Sequence, residues 1–179
     1  MSERVYNVLF LCTSNSARSI MAEAILNQMG RGHFRAFSAG SHPNGKVNPF
    51  AVELLSSQNM PVGELRSKSW DEFVAPGAPH LDFVFTVCDK AAGELCPVWP
   101  GQPMTAHWGI PDPAATRGDE AASRRAMHQA FLQLGRRISL FVSLPFDNLD
   151  AIAIKHEVAA IGRLDDASSR TTHPQQTRP

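Results

Sequence analysis

The stretch Val8-Leu9-Phe10-Leu11-Cys12-Thr13-Ser14-Asn15-Ser16-Ala17-Arg18-Ser19 decides how the rest of the chain is read. Its leading apolar run reads as a short parallel strand buried on both faces. A helical pattern begins near Arg18, so the residues between form a strand-to-helix loop. The first N–H groups of a helix lack internal partners and carry a positive partial charge, which lets such a loop converge on an anion. Cys12 enters that ring of donors and Arg18 closes it. A thiol there is expected to lose its proton readily, because helix N-termini and neighbouring cations favour the thiolate. The loop predicts a thiolate nucleophile beneath a tetrahedral oxyanion held by Thr13, Ser14, Asn15, Ser16, Ala17 and Arg18.

Outward from this loop the chain alternates strands and helices. Val5 to Leu11 is the first strand. Ile20, Met21, Ala24, Ile25 and Met29 recur at helical spacing, and Gly30 and Gly32 supply the stop. Phe34 to Ser38 is a second strand, and Asn48-Pro49 is an N-cap followed by a first-turn proline, opening a helix to about Ser57. Strands joined through helices run parallel with a right-handed crossover. Leu81 to Val87 is a third strand that delivers Cys88 at its C-terminal end. Met104 to Trp108 is a candidate fourth, inside a passage too rich in proline for a helix. From Asp119 a helix carries Met127, Ala130, Phe131, Leu134, Ile138 and Phe141 on one stripe, ending near Pro145. Asp147 is read as the cap of a last helix with Leu149, Ile152, Ala153, Ala160 and Ile161 inward. These elements predict one α/β domain over residues 1–164. The Ser-, Thr-, Gln- and Pro-rich residues 165–179 are expected to form a flexible tail.

Composition narrows the classes. Seventeen basic residues balance seventeen acidic ones, so no long-range field favours nucleic acid or an anionic membrane, and anion selectivity must be local. No run reaches the ~18 apolar residues of a membrane span, and no secretory leader pattern opens the chain. A cytoplasmic monomer is expected. Three cysteines, Cys12, Cys88 and Cys96, then read as reactive or buried thiols rather than structural disulfides. The seven histidines show no metal-ligand spacing. A parallel α/β sheet places its ligand site at the carboxyl ends of its strands, where Cys12, Cys88 and, after the fourth strand, Asp112 all fall.

The Cys-x5-Arg-Ser loop after the first strand, Ser38-Ala39-Gly40 and the distant Asp112-Pro113 pair together resemble the low-molecular-weight protein tyrosine phosphatase superfamily. The form Cys-Thr-Ser-Asn-Ser-Ala-Arg-Ser resembles its arsenate reductase branch. The resemblance covers roughly Val5 to Ile138. It implies a three-layer sandwich whose four-stranded parallel sheet, in order 2-1-3-4, is flanked by helices. The segment from Val87 through Cys96-Pro97 is similar to the redox segment of thioredoxin-coupled arsenate reductases, which implies a relay. Cys12 attacks arsenate, Cys88 attacks the Cys12–arsenic adduct to release arsenite, and Cys96 resolves the Cys12–Cys88 disulfide. No tightly bound cofactor is implied. Thioredoxin would supply the reducing thiols, with glutaredoxin or a small thiol as the alternative, and phosphate and sulfate would compete with arsenate. A possible monovalent cation near Asn15, Glu23 and Ser38 is also implied.

Charge and geometry assign the remaining roles. Arg18 can hold two oxyanion oxygens with its planar fork. Ser19 can donate to the Cys12 thiolate, and Asn15 can hold the loop in a strained backbone conformation through side-chain hydrogen bonds. Asp112 would act as general acid toward the departing oxygen. A continuous helix from Cys88 to Cys96 would hold their Cα atoms ~12 Å apart, beyond the ~7 Å a disulfide allows. The segment is therefore expected to be a loop or to unwind. Two other functions fit the same loop: a phosphatase acting on phosphotyrosine and a non-catalytic oxyanion-binding protein. Against the phosphatase, Ala114-Ala115 follow Asp112-Pro113 where family phosphatases carry aromatic residues.

Overall fold

β1 (Tyr6–Cys12) runs through the middle of a four-stranded parallel sheet of order β2-β1-β3-β4. The computed structural model describes residues 4–88, 97–115 and 118–164. β2 (Phe34–Gly40) pairs along the whole of β1, from Tyr6 beside Phe34 to Cys12 beside Gly40. β3 (Phe83–Thr86) lies on its other side with Leu11 beside Thr86, and β4 (Met104–His107) completes the sheet. The uninterrupted apolar run of β1 has its reason in the two faces. Val8 and Phe10 enter a core shared with the helices, while Leu9 and Leu11 enter a second cluster with Ala39, Phe73, Val84 and Trp99.

α1 (Arg18–Met29) buries Ile20, Met21, Ala24 and Ile25 as the spacing requires, whereas Met29 is half-exposed at its last turn. α2 (Pro49–Ser57) starts where the Asn-Pro signal places it, with Asn48 Oδ1 accepting from the Phe50 amide at 2.9 Å. α3 (Glu120–Val142), capped by Asp119, buries Met127, Ala130, Leu134, Ile138 and Phe141. Phe141 meets the stacked pair Phe85 and Trp108 edge-on, the two stacked ring centroids being 4.1 Å apart. The Trp108 indole donates to the Val158 carbonyl at 2.9 Å, so this residue beside His107 is core.

The last helix departs from its expected frame. α4 (Ala151–Gly162) is capped by Asp150, whose Oδ1 accepts from the Ala153 amide at 2.8 Å. Asp147 lies instead in a short 3-10 turn, Phe146–Asn148. The Phe146 ring is drawn in among Tyr6, Phe34 and Phe141, with centroids 5.0, 5.6 and 5.5 Å away. That packing holds residues 146–148 in the turn and delays the helix. Its inner face is accordingly Ile154, Val158 and Ile161, with Ile152 exposed. No described helix is long and apolar enough to cross a membrane. The proposed tail, 165–179, lies outside the described residues.

Candidate active site

Strand register builds the site. Cys12 ends β1, and β3 stops one residue before Val87, whose amide donates to the Leu11 carbonyl at 2.9 Å. Cys88 therefore arrives beside Cys12 at the carboxyl edge of the sheet. Both thiols are buried. Cys88 Sγ lies 3.6 Å from Thr13 Oγ1. The chain leaving β4 crosses the end of β3, with the Trp108 amide on the Thr86 carbonyl at 2.7 Å and the Ile110 amide on the Val87 carbonyl at 3.0 Å. That crossing carries the third group, Asp112, over the loop.

An outer belt turns the Cys12–Arg18 loop inside out. The carbonyls of Thr13, Ser14 and Ser16 accept from the amides of His42 (2.9 Å), Asn44 (3.2 Å) and Asn48 (2.8 Å), and Ser67 Oγ adds a second donor to Ser14 at 3.1 Å. The peptide bonds of the described residues are trans, so a carbonyl drawn outward sends the next amide inward. The amides of Ser14, Asn15 and Ala17 thus face the interior that an oxyanion would fill. Asn15 is wholly buried with φ +48°, and its side chain donates to Ser19 Oγ (2.8 Å) and accepts from the Lys68 amide (2.9 Å). This is the strained position its sequence suggested. Gly40 is required beneath it, because a Cβ there would collide with the Thr13 carbonyl oxygen.

Arg18 Nη1 donates to the Ile110 carbonyl at 2.9 Å, and its Nη2 lies 3.7 Å from Asp112 Oδ2. The arginine side chain is 12% exposed and the aspartate side chain 46%, so the cation is fixed against the protein while the acid faces solvent. Asp112 Oδ1 accepts from the Ala114 amide at 2.9 Å, forming an Asx turn. The Cys12 thiol is pushed up rather than down. Its hydrogen bond with Cys88 is the largest cause and burial the next, both outweighing Arg18 and the Thr13 amide, which pull the other way. The sequence expectation counted only these pulling groups. A second thiol brought in from residue 88 supplies the largest of the raising causes.

Cys96 lies outside the described residues, in 89–96. The expected cation neighbourhood already contains a positive group: Lys68 Nζ sits 3.5 Å from Ser38 Oγ and donates to the Arg66 carbonyl at 2.9 Å. Burial pushes Glu23 up and Lys68 down, and each one's charge restrains the shift of the other. These residues therefore do not suit a separate ion while Lys68 is protonated. Among the described residues no cluster of three or more His, Cys, Asp or Glu side chains is set to hold a metal. Lys68, Ser67 and the Ile110 carbonyl were invisible to pattern reading. A lysine among serines looks like any surface turn, and a backbone carbonyl has no sequence signature.

Residues 7–139 match the family model described as low molecular weight phosphotyrosine protein phosphatase. An arsenate reductase of Halalkalibacterium halodurans is 33% identical over 134 residues, 75% of this chain and 93% of the relative. The crystal structure of arsenate reductase from Archaeoglobus fulgidus superposes with a TM-score of 0.55 at 30% identity, covering 74% of this chain and 98% of that one. A low molecular weight protein tyrosine phosphatase from T. tengcongensis shares the fold with a TM-score of 0.61 at 23% identity, covering 75% and 95%.

Proposed function

Because the chain belongs to the low molecular weight phosphotyrosine protein phosphatase family, we propose that it uses the family's anion loop to reduce arsenate to arsenite. The observation that carries this reading is that the sheet brings two buried thiols, Cys12 and Cys88, side by side. Hydrolysis of a phosphate ester needs one nucleophilic sulfur and leaves nothing for a second to do.

Arsenate enters as a dianion between the inward amides and Arg18. The arriving dianion accepts the Cys12 proton, which the paired thiol otherwise retains, and Arg18 and the Thr13 amide stabilise the thiolate left behind. Cys12 sulfur attacks arsenic, and an oxygen leaves as water with a proton from Asp112. Cys88 gives its proton to an oxygen of the adduct and, as thiolate, attacks the Cys12 sulfur. The S–As bond breaks with its electron pair on arsenic, so As(V) becomes As(III), two thiols become one disulfide and arsenite departs. Cys96 would attack Cys88, freeing Cys12 and leaving a Cys88–Cys96 disulfide for an external dithiol of the thioredoxin or glutaredoxin type. The adjacency of Cys88 to the nucleophile supports the first exchange, and the likeness of segment 87–97 to the redox segment of thioredoxin-coupled reductases supports the second.

Arsenite formation with a thioredoxin system tests the proposal. The wild type should turn over, whereas Cys88→Ser should make no arsenite yet still hydrolyse an aryl phosphate slowly through Cys12, Arg18 and Asp112. Phosphate ester hydrolysis by the wild type without any arsenite would overturn it in favour of a phosphatase.

A further inference from the structure

Asn15, Ser19, Ser38 and Lys68, four of the five buried polar or charged side chains among the described residues, stand together behind the anion loop. Lys68 is the hub. Its amide donates to Asn15 Oδ1 at 2.9 Å, and its carbonyl accepts from the Gly40 amide at 2.9 Å. Its side chain, leaving the residue 8% exposed, turns back under the loop to the Arg66 carbonyl and Ser38 hydroxyl. Glu23 lies on α1 within the field of that ammonium: its charge restrains the downward push of burial on Lys68, and Lys68 and Ser38 restrain the upward push of burial on Glu23. Lys68 and Glu23 are therefore neighbouring opposite charges, the lysine seated on Ser38, and Asn15 connects the lysine's main chain to the strained turn of the loop. An unpaired ammonium at such depth is strongly disfavoured, and the nearby carboxylate offsets its burial.

We propose that Lys68 is a positioning residue of the oxyanion site: its buried ammonium is the built-in counter-ion of Glu23, holding the loop through Asn15 without an external cation. The inference rests on the reading of the loop as an oxyanion site and not on the disulfide steps. Its chemistry carries a distinctive consequence. Removing the ammonium leaves the Arg66 carbonyl, the Ser38 hydroxyl and the Glu23 carboxylate, an all-oxygen set that suits a hard monovalent cation. Glu23 also lines a cleft of about 690 Å³ with Asn27, Arg31 and Arg35, through which an ion can reach it from solvent.

The test compares wild type, Lys68→Met and Lys68→Met/Glu23→Gln for binding of inorganic phosphate by calorimetry. Each is titrated in potassium, ammonium and choline chloride at one ionic strength. Wild-type affinity should be the same in the three salts. Lys68→Met should bind about tenfold or more weakly in choline, since small displacements of positioning groups cost this much, and should recover in potassium or ammonium. The double variant, with no carboxylate left uncompensated, should be indifferent to the salt. Unchanged binding by Lys68→Met, or a loss that neither cations nor Glu23→Gln relieves, overturns the proposal by making Lys68 ordinary packing. Thermal melts of the same proteins in the same salts read the cation dependence without an anion. A wild type that fails to bind phosphate would thus count against the loop reading, while the melts still decide the role of Lys68.

Discussion

Cys12 and Asp112 lie on either side of Arg18, whose Nη2 is 3.7 Å from Asp112 Oδ2, yet the two sides of the site are built on opposite plans. On the Cys12 side the backbone is fixed from outside: three loop carbonyls are taken by one belt, Asn15 is pinned at both ends and Gly40 leaves no room beneath. On the Asp112 side a half-exposed carboxylate is held by its own Asx turn and a long contact to Arg18. The difference suits the tasks proposed for them. Donors that must converge on one anion gain from being immobile before it arrives. An acid that must meet a leaving oxygen and then regain a proton gains from contact with water.

That contrast can be broken at either end. The largest effect is expected for Cys12→Ser, which should lower arsenite formation and aryl phosphate hydrolysis by at least about a thousandfold while the melting temperature holds. Asp112→Asn keeps the acceptor for the Ala114 amide and should cost about a hundredfold in kcat. Being half-exposed, it should move stability by less than about 0.5 kcal/mol in urea melts. A large destabilisation there would show that the acid side is as rigidly built as the other. Gly40→Ala should do the reverse, costing about 1–3 kcal/mol of stability by overpacking against the Thr13 carbonyl and weakening phosphate binding as the loop shifts.

The smallest effect sharpens the contrast within the rigid side. In Cys88→Ala the leading cause that raises the Cys12 thiol is removed, while Arg18 and the Thr13 amide still lower it. The folded-state pKa must fall, so the pH at which iodoacetamide reaches half its maximal rate should move down relative to wild type. An unmoved profile would mean that burial, not the second thiol, retains the proton.

The same contrast governs what the sequence could disclose. β1, the loop and α1 are contiguous, so apolar run, Cys-x5-Arg and helical spacing declare them within two dozen residues. Asn48-Pro49 and Asp119 declare helix starts because a cap acts within three residues of itself. The start of α4 was misplaced because Asp147 and Asp150 are equally good caps locally, and the choice is made by Phe146 packing against Tyr6, Phe34 and Phe141. Lys68 was missed for the same reason: its burial is decided by Glu23 and Ser38 on two other elements. The reversed direction of the Cys12 shift belongs here too, since it depends on a thiol 76 positions away that only the sheet register brings into contact.

The bond from Arg18 to the Ile110 carbonyl spans 92 positions. During synthesis, the loop that bears the nucleophile is made on the order of ten seconds before the segment that anchors its arginine and supplies its acid. Until then β1 can pair only with β2, and the arginine has no fixed orientation. A nascent or truncated chain can therefore display the Cys-x5-Arg motif in full while its arginine is still unanchored. The site is completed late, when β3 and β4 dock and the distant carbonyl closes on the guanidinium.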